Sequence, residues 1–225
     1  ERLIKMLQVE DDCLAVDAKG IYTVENYLTS RRSMYWQVYL HKKAVAGEET
    51  LRLALQRAKE LSANGEKLFA SPALSHFLTK NISVEEFEDI PNHLDMYAQL
   101  DDSDILCAMK VWQNSDDLIL SILASNFVNR HFFKVEICTG GVDKERVWNY
   151  KQEIVQRLGV SITDADYFVR TVAVKKEMYS TTSQGIRLIS PDGDVQDLAS
   201  VSNIVRNETI EAVEQKFYLL KLRLD

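Results

Sequence analysis

Residues 31–43 read RRSMYWQVYLHKK, with two arginines at one end, a histidine and two lysines at the other, and three aromatic residues between them. The stretch lies in the longest helical region of the chain, from Thr23 to about Leu61, read as one long helix or as two separated near Ser30. On a helix, Arg31, Tyr35, Val38 or Tyr39, and Lys42 share one broad face at three- and four-residue spacing. An arginine grips phosphate oxygens bidentately, a tyrosine stacks on a base or sugar, and a lysine adds a point charge. In the structural alternative, Tyr35, Trp36 and Tyr39 anchor the helix while the cations lie along its surface. Taken alone, the residues leave both readings open.

Downstream, Leu51, Leu55 and Ala58 recur at helical intervals opposite a wet face of Arg52, Gln56 and Lys59, and Asn64-Gly65 ends the helix. Upstream, the first twelve residues read as a short helix with Leu3, Met6 and Leu7 on its apolar side, followed by CLAVDAKGI as a strand or extended link. Ser71 and Pro72 open another helix as cap and first position. LDDSDILCAMKVWQ and SDDLILSILASNFVNR are two further helices joined by a short connection, so they pack as neighbours. After Arg130 the pattern changes. HFFKVEIC, YFVRTVAV, GIRLIS and KFYLLKLRL read as strands, DKERVWNYKQEIVQRLG as a helix closed by Gly159, and Pro191-Asp192-Gly193-Asp194 as a turn. The expected fold is therefore mainly α with a C-terminal α+β portion: a helical region over residues 1–130 and a smaller α+β region over 131–225.

The formal net charge is −7, which opposes an extended nucleic-acid footprint and leaves room only for local basic patches. No run approaches eighteen apolar residues, so no membrane partner is expected. Cys13, Cys107 and Cys138 are odd in number and far apart, a pattern of free thiols in a reducing, cytoplasmic or otherwise intracellular setting. The opening ERLIKMLQVEDD has neither a signal-peptide run nor an initiator methionine and reads as a chain entered in its middle.

His41, His76, His93 and His131 form no local metal motif. Asp101, Asp102, Asp104, Asp116 and Asp117 stand just before helices, where capping explains them better than magnesium does. There is no Walker loop, dinucleotide fingerprint or serine elbow. A second basic–aromatic patch, NRHFFKVE, places Arg130 and Lys134 around two phenylalanines. In an extended segment Phe132 and Lys134 face one way and Phe133 the other, so only one ring must enter the core.

Taken together, YWQVYLHKK and DDSDILCAMKVWQNSDDLILSILASNFVNRHFFKVE, with the long helices before them, resemble the HD-domain phosphohydrolases. Within that superfamily they resemble the deoxynucleoside triphosphate triphosphohydrolases, including the mammalian SAM-and-HD-domain nucleotide hydrolase. The resemblance covers most of residues 1–135 and is looser beyond. It implies a helical fold in which a histidine, a His-Asp pair and a later aspartate hold a divalent metal (Mg, Mn, Fe or Zn) that activates water. The product is a nucleoside and tripolyphosphate.

No His-Asp dipeptide occurs in these residues, so the chain resembles the portion downstream of the metal motifs, and by itself it is expected to bind no metal and to be inactive. By position in the motif, Arg31 resembles a phosphate-contacting arginine and Tyr39 a tyrosine lying against the nucleotide. Tyr35 stands where a relative has an active-site histidine, so that role does not transfer directly. His41, Lys42, Arg130 and Lys134 resemble residues of an activating-nucleotide site formed between subunits, which implies a homo-oligomer and a nucleotide or deoxynucleotide partner. The alternative function is a non-catalytic nucleotide-binding, regulatory or oligomerisation module. A further alternative is an interaction domain whose basic patches pair with acidic partners.

Overall fold

The computed structural model describes residues 1–89, 91–138, 140–176, 185–206 and 214–224. In chain order the helices are α1 (Ile21–Met34), α2 (Lys42–Ala63), α3 (Pro72–Thr79), α4 (Val84–Asp89), α5 (Pro91–Ala98), α6 (Asp102–Trp112), α7 (Leu118–Val128), α8 (Lys144–Leu158), α9 (Leu198–Val201) and α10 (Asn203–Arg206). The strands are β1 (Leu7–Glu10), β2 (Cys13–Asp17), β3 (Lys134–Cys138), β4 (Val169–Lys176), β5 (Arg187–Ile189), β6 (Val195–Asp197) and β7 (Glu214–Lys221). The chain is thus mainly α with a smaller α+β part. Its residues form two compact units, Glu1–His41 with Ala173–Phe217, and Lys42–Val172 with Tyr218–Asp225.

The first unit is organised by a four-stranded sheet in the order β1-β2-β5-β6. The opening residues are not the expected short helix. A single 3-10 turn at Ile4–Met6 leads into β1, which pairs antiparallel with β2 so that Leu7 faces Val16 and Glu10 faces Cys13. The connection is Asp11-Asp12, with φ of 49° and 55°, the positive values that a tight two-residue hairpin turn requires. Cross-strand pairing decides this segment, because Leu7 and Val9 alternate with period two as readily as Leu3, Met6 and Leu7 follow a helical spacing. β2 then pairs in parallel with β5, Ala15 opposite Arg187.

Against this sheet α1 buries Val24 and Leu28, which join Val16, Leu188, Leu198 and Val205 in one apolar cluster. Gly20 ahead of the helix is required by close approach, since a Cβ there would lie 2.8 Å from Met6 Sδ and 3.0 Å from Val16 Cγ1. One acid enters this core. Glu25 is 5% exposed and accepts a 2.5 Å hydrogen bond from Ser202 Oγ, which in turn accepts 2.9 Å from the Val205 amide. The serine thereby ties α1 to the turn between α9 and α10.

The second unit packs α2 against α3 and α7, and α6 against α7. The buried stripe of α2 runs through Val45, Ala46, Thr50, Leu53, Ala54, Ala58 and Leu61. Leu51 and Leu55, expected at its centre, are half-buried at its margin. Capping fixes the helix starts as expected. Ser71 Oγ accepts from the Leu74 amide, Asp101 and Asp104 form a reciprocal capping box, and Asp117 accepts from the Leu120 amide. Ala108, Met109 and Trp112 on α6 and Leu120, Leu123 and Ala124 on α7 are all buried, these two helices being packed together, and Trp112 Nε1 donates to the Phe69 carbonyl at 2.9 Å. Burying each large side chain contributes roughly 1.5–3 kcal/mol. A three-stranded sheet of order β3-β7-β4 completes the α+β portion. No described helix is long and apolar enough to cross a membrane.

Candidate functional site

The candidate residues fall in both units. In the first, α1 does not run directly into α2. It widens into a π-helical turn over Tyr35–Tyr39, closed by the Leu40 amide donating to the Tyr35 carbonyl at 2.7 Å, and the chain breaks at Leu40–His41 rather than near Ser30. Such turns insert a residue into the helical repeat and redirect the side chains that follow. Here the Arg31 guanidinium lies 5.6 Å from the Tyr35 ring centroid, and the Tyr35 and Tyr39 rings are 5.4 Å apart at 47°. Arg31 and Tyr39 are exposed and Tyr35 is half-buried, so a cation and two rings form one continuous surface ladder. Trp36 is engaged differently, with Lys216 Nζ 3.9 Å from its ring centroid. His41 is exposed at the end of this segment.

In the second unit, Lys42, Arg130 and Lys134, far apart in sequence, line one hollow of about 570 Å³. They are joined there by Lys43 and Arg223, so five cations and no acid line it. Among the described residues, Lys42, Arg130, Lys134 and Arg223 form no ion pair. The apolar part of the wall includes Ala46, Phe132 and Val135. Phe133, which precedes β3 and also borders the hollow, is the ring that enters the core, 4% exposed. Gly47 makes room for the other, since a Cβ there would meet the Phe132 ring at 3.3 Å.

Arg130 holds an unusual backbone position. The end of α7 is a Schellman closure, in which the Arg130 amide donates to Phe127 O at 3.2 Å and the His131 amide to Asn126 O at 2.8 Å. The left-handed position of that motif is normally glycine, yet it is occupied by Arg130 with φ of 57°. Backbone energy alone favours glycine here by about 1 kcal/mol.

Arg223 and Lys43 are the cations of this hollow not singled out from sequence. Lys43 belongs to the basic end of the opening stretch. Arg223 had a signal in KLRL, where Lys221 and Arg223 alternate with Leu222, which is buried at 6% exposure. What the pattern lacked was the knowledge that this strand end returns beside Lys134.

His76 and His93 approach each other with Nε2 and Nδ1 2.8 Å apart, but they are a pair only. Among the described residues no three His, Cys, Asp or Glu side chains gather as a metal-binding group. The residues here therefore do not fit the divalent metal that the HD resemblance implies, and no chemistry of this chain is assigned to it.

A family model described as the HD associated region matches residues 1–72. The crystal structure of a phosphohydrolase from Bacteroides thetaiotaomicron VPI-5482 is similar to 99% of the chain, with 44% identity and a TM-score of 0.90. The uncharacterized protein YwfO of Bacillus subtilis (strain 168) is 34% identical over 134 residues, 60% of this chain. A hypothetical protein from Aquifex aeolicus, 23% identical with a TM-score of 0.50, shares the fold. The chain spans 55% of the phosphohydrolase, 47% of the Aquifex protein and 29% of YwfO. The first 72 residues thus resemble a region associated with HD domains, and the whole chain is similar to about half of a phosphohydrolase.

Proposed function

We propose that this chain works within a metal-dependent HD-family phosphohydrolase that converts a deoxynucleoside triphosphate and water into a deoxynucleoside and tripolyphosphate. The observation that carries this reading is the Arg31–Tyr35–Tyr39 ladder, whose exposed Arg31 and Tyr39, with half-buried Tyr35 between them, suit a phosphate chain attached to a flat base. Arg31 would hold phosphate oxygens, and Tyr39 would lie against the nucleoside. The metal and its water-activating ligands would come from residues other than those described here.

The five-cation hollow favours a second reading of the other unit, in which Lys42, Arg130 and Lys134 bind a regulatory nucleotide, with His41 beside an interface between copies. The two readings are compatible, one surface for the substrate and one for control. The test is release of tripolyphosphate from each deoxynucleoside triphosphate by the full-length protein, supplied in turn with Mg, Mn, Fe and Zn. Release with any of them supports the enzyme. Nucleotide binding without release under all four would instead identify a non-catalytic nucleotide-binding module.

A further inference from the structure

The 570 Å³ hollow has a neighbour. A second hollow of about 310 Å³ is lined by Glu153, Arg157, Lys221 and Leu222–Leu224, and it shares Lys134 and Arg223 with the first. Lys134 opens β3, and Arg223 follows β7, the strand beside β3 in the sheet. The two shared cations therefore stand between two openings, available to one anion that passes from one to the other.

The walls of the two hollows differ. The first offers an apolar patch, which suits a sugar or base as well as phosphate. In the second the cations are held in place by the protein. Arg157 donates to the Leu224 carbonyl at 3.3 Å and lies 3.6 Å from Glu153, while Lys221 sits 3.8 Å over the Tyr150 ring and 3.9 Å from Glu136. Glu153 is the single acid in that lining. The five cations of the first hollow already suffice for a triphosphate, so Arg157 and Lys221 are surplus to a ligand that stops there.

We propose that the second hollow is an anion subsite continuous with the first, and that the pair takes a nucleoside polyphosphate whose phosphate chain is longer than three. The nucleoside end occupies the apolar side of the first hollow, the chain crosses Lys134 and Arg223, and its terminal phosphoryl group reaches Arg157 and Lys221. This rests on the nucleotide reading of the first hollow. Held cations lower the ordering cost of binding, and the lone carboxylate of Glu153 opposes any anion that enters.

The test compares adenosine 5′-tetraphosphate with adenosine 5′-triphosphate by calorimetry on the full-length protein, with inorganic tripolyphosphate and a short single-stranded oligodeoxythymidylate as further probes. The tetraphosphate is expected to bind about ten-fold more tightly than the triphosphate, a ratio typical of one added charge-assisted contact. Arg157→Ala should abolish that ratio and leave triphosphate affinity within about two-fold. Glu153→Gln should tighten tetraphosphate binding, a gain that misfolding does not mimic. Equal affinities for the two nucleotides, with both variants silent, would overturn the second subsite; if Lys42→Ala still weakened triphosphate binding, the nucleotide reading of the first hollow would stand. If none of the phosphate probes binds, both readings fall. Tighter binding of the oligonucleotide than of the tetraphosphate would overturn the proposal in favour of a nucleic-acid groove.

Discussion

Arg57, in the middle of α2, reaches across to Asp117, the cap of α7, with guanidinium–carboxylate hydrogen bonds of 2.7 and 3.1 Å. The same carboxylate accepts from the Leu120 amide at 2.8 Å, so one side chain serves both as helix cap and as ion-pair partner. Asp164 lies 3.9 Å from the other side of the guanidinium, and the Tyr167 ring centroid 5.6 Å from it. Arg57 therefore joins α2, α7 and the turn after α8.

Removing that join should be costly. Arg57→Ala leaves a largely buried carboxylate with only its cap, and about 2 kcal/mol should be lost, read as a lower urea midpoint with unchanged m. Burial pushes the Asp117 carboxyl up, but the Arg57 guanidinium and the α7 amides outweigh it and hold the group below its ordinary range. A depressed folded pKa stabilises fully above the unfolded value of about 3.9, and that contribution disappears as pH falls through the lower folded value. The gap between wild type and variant should thus be full at neutral pH and shrink in acid. A gap independent of pH would remove Asp117 from the account.

Arg130→Gly should move stability and binding in opposite directions. Glycine relieves the left-handed position and should stabilise by about 0.5–1 kcal/mol, while loss of the guanidinium weakens phosphate binding in the hollow. Paired thermal melts and tripolyphosphate titrations report both. A variant that is less stable would show that the side chain has a packing role.

Arg31→Ala should weaken nucleotide binding by the full-length protein roughly 10- to 100-fold, the range for a lost charge-assisted contact. The melting temperature should stay nearly constant, because Arg31 is exposed. Unchanged affinity for every deoxynucleoside triphosphate would remove Arg31 from the substrate surface.

Ser202→Ala takes the donor from Glu25 and the acceptor from the Val205 amide inside an apolar cluster. A loss of about 2–3 kcal/mol is expected from two buried groups left without this partner. Glu25→Gln keeps the shape and an amide dipole, so it should cost less than Ser202→Ala. The reverse order in chemical denaturation would contradict the hydrogen-bonded account.

Much of this was local and therefore legible. Ser71-Pro72, the Asp101/Asp104 box and Asp117 mark helix starts because a cap acts within four residues of itself. HFFKVE reads as an extended segment with one ring for the core, and Phe133 is the buried one although β3 begins only at Lys134. The rest depended on distance. The parallel pairing of β2 with β5 joins residues some 170 positions apart, and nothing in CLAVD or RLI names the other as partner. The stripe of α2 shifted from Leu51 and Leu55 to Leu53 and Ala54 because neighbouring helices, not periodicity alone, decide which face is covered.

The stretch RRSMYWQVYLHKK shows the same division. Its sequence determined that a cation and aromatic rings recur at helical spacing, since residues three and four apart on a helix must be neighbours. Only the folded chain decided that a π turn would set Arg31, Tyr35 and Tyr39 in a ladder, and that Lys42 would share a hollow with Arg130, Lys134 and Arg223. The reason is physical. Helical neighbours are specified by rise and repeat, whereas a binding hollow is specified by how distant segments bury their apolar faces and leave their charges in solvent.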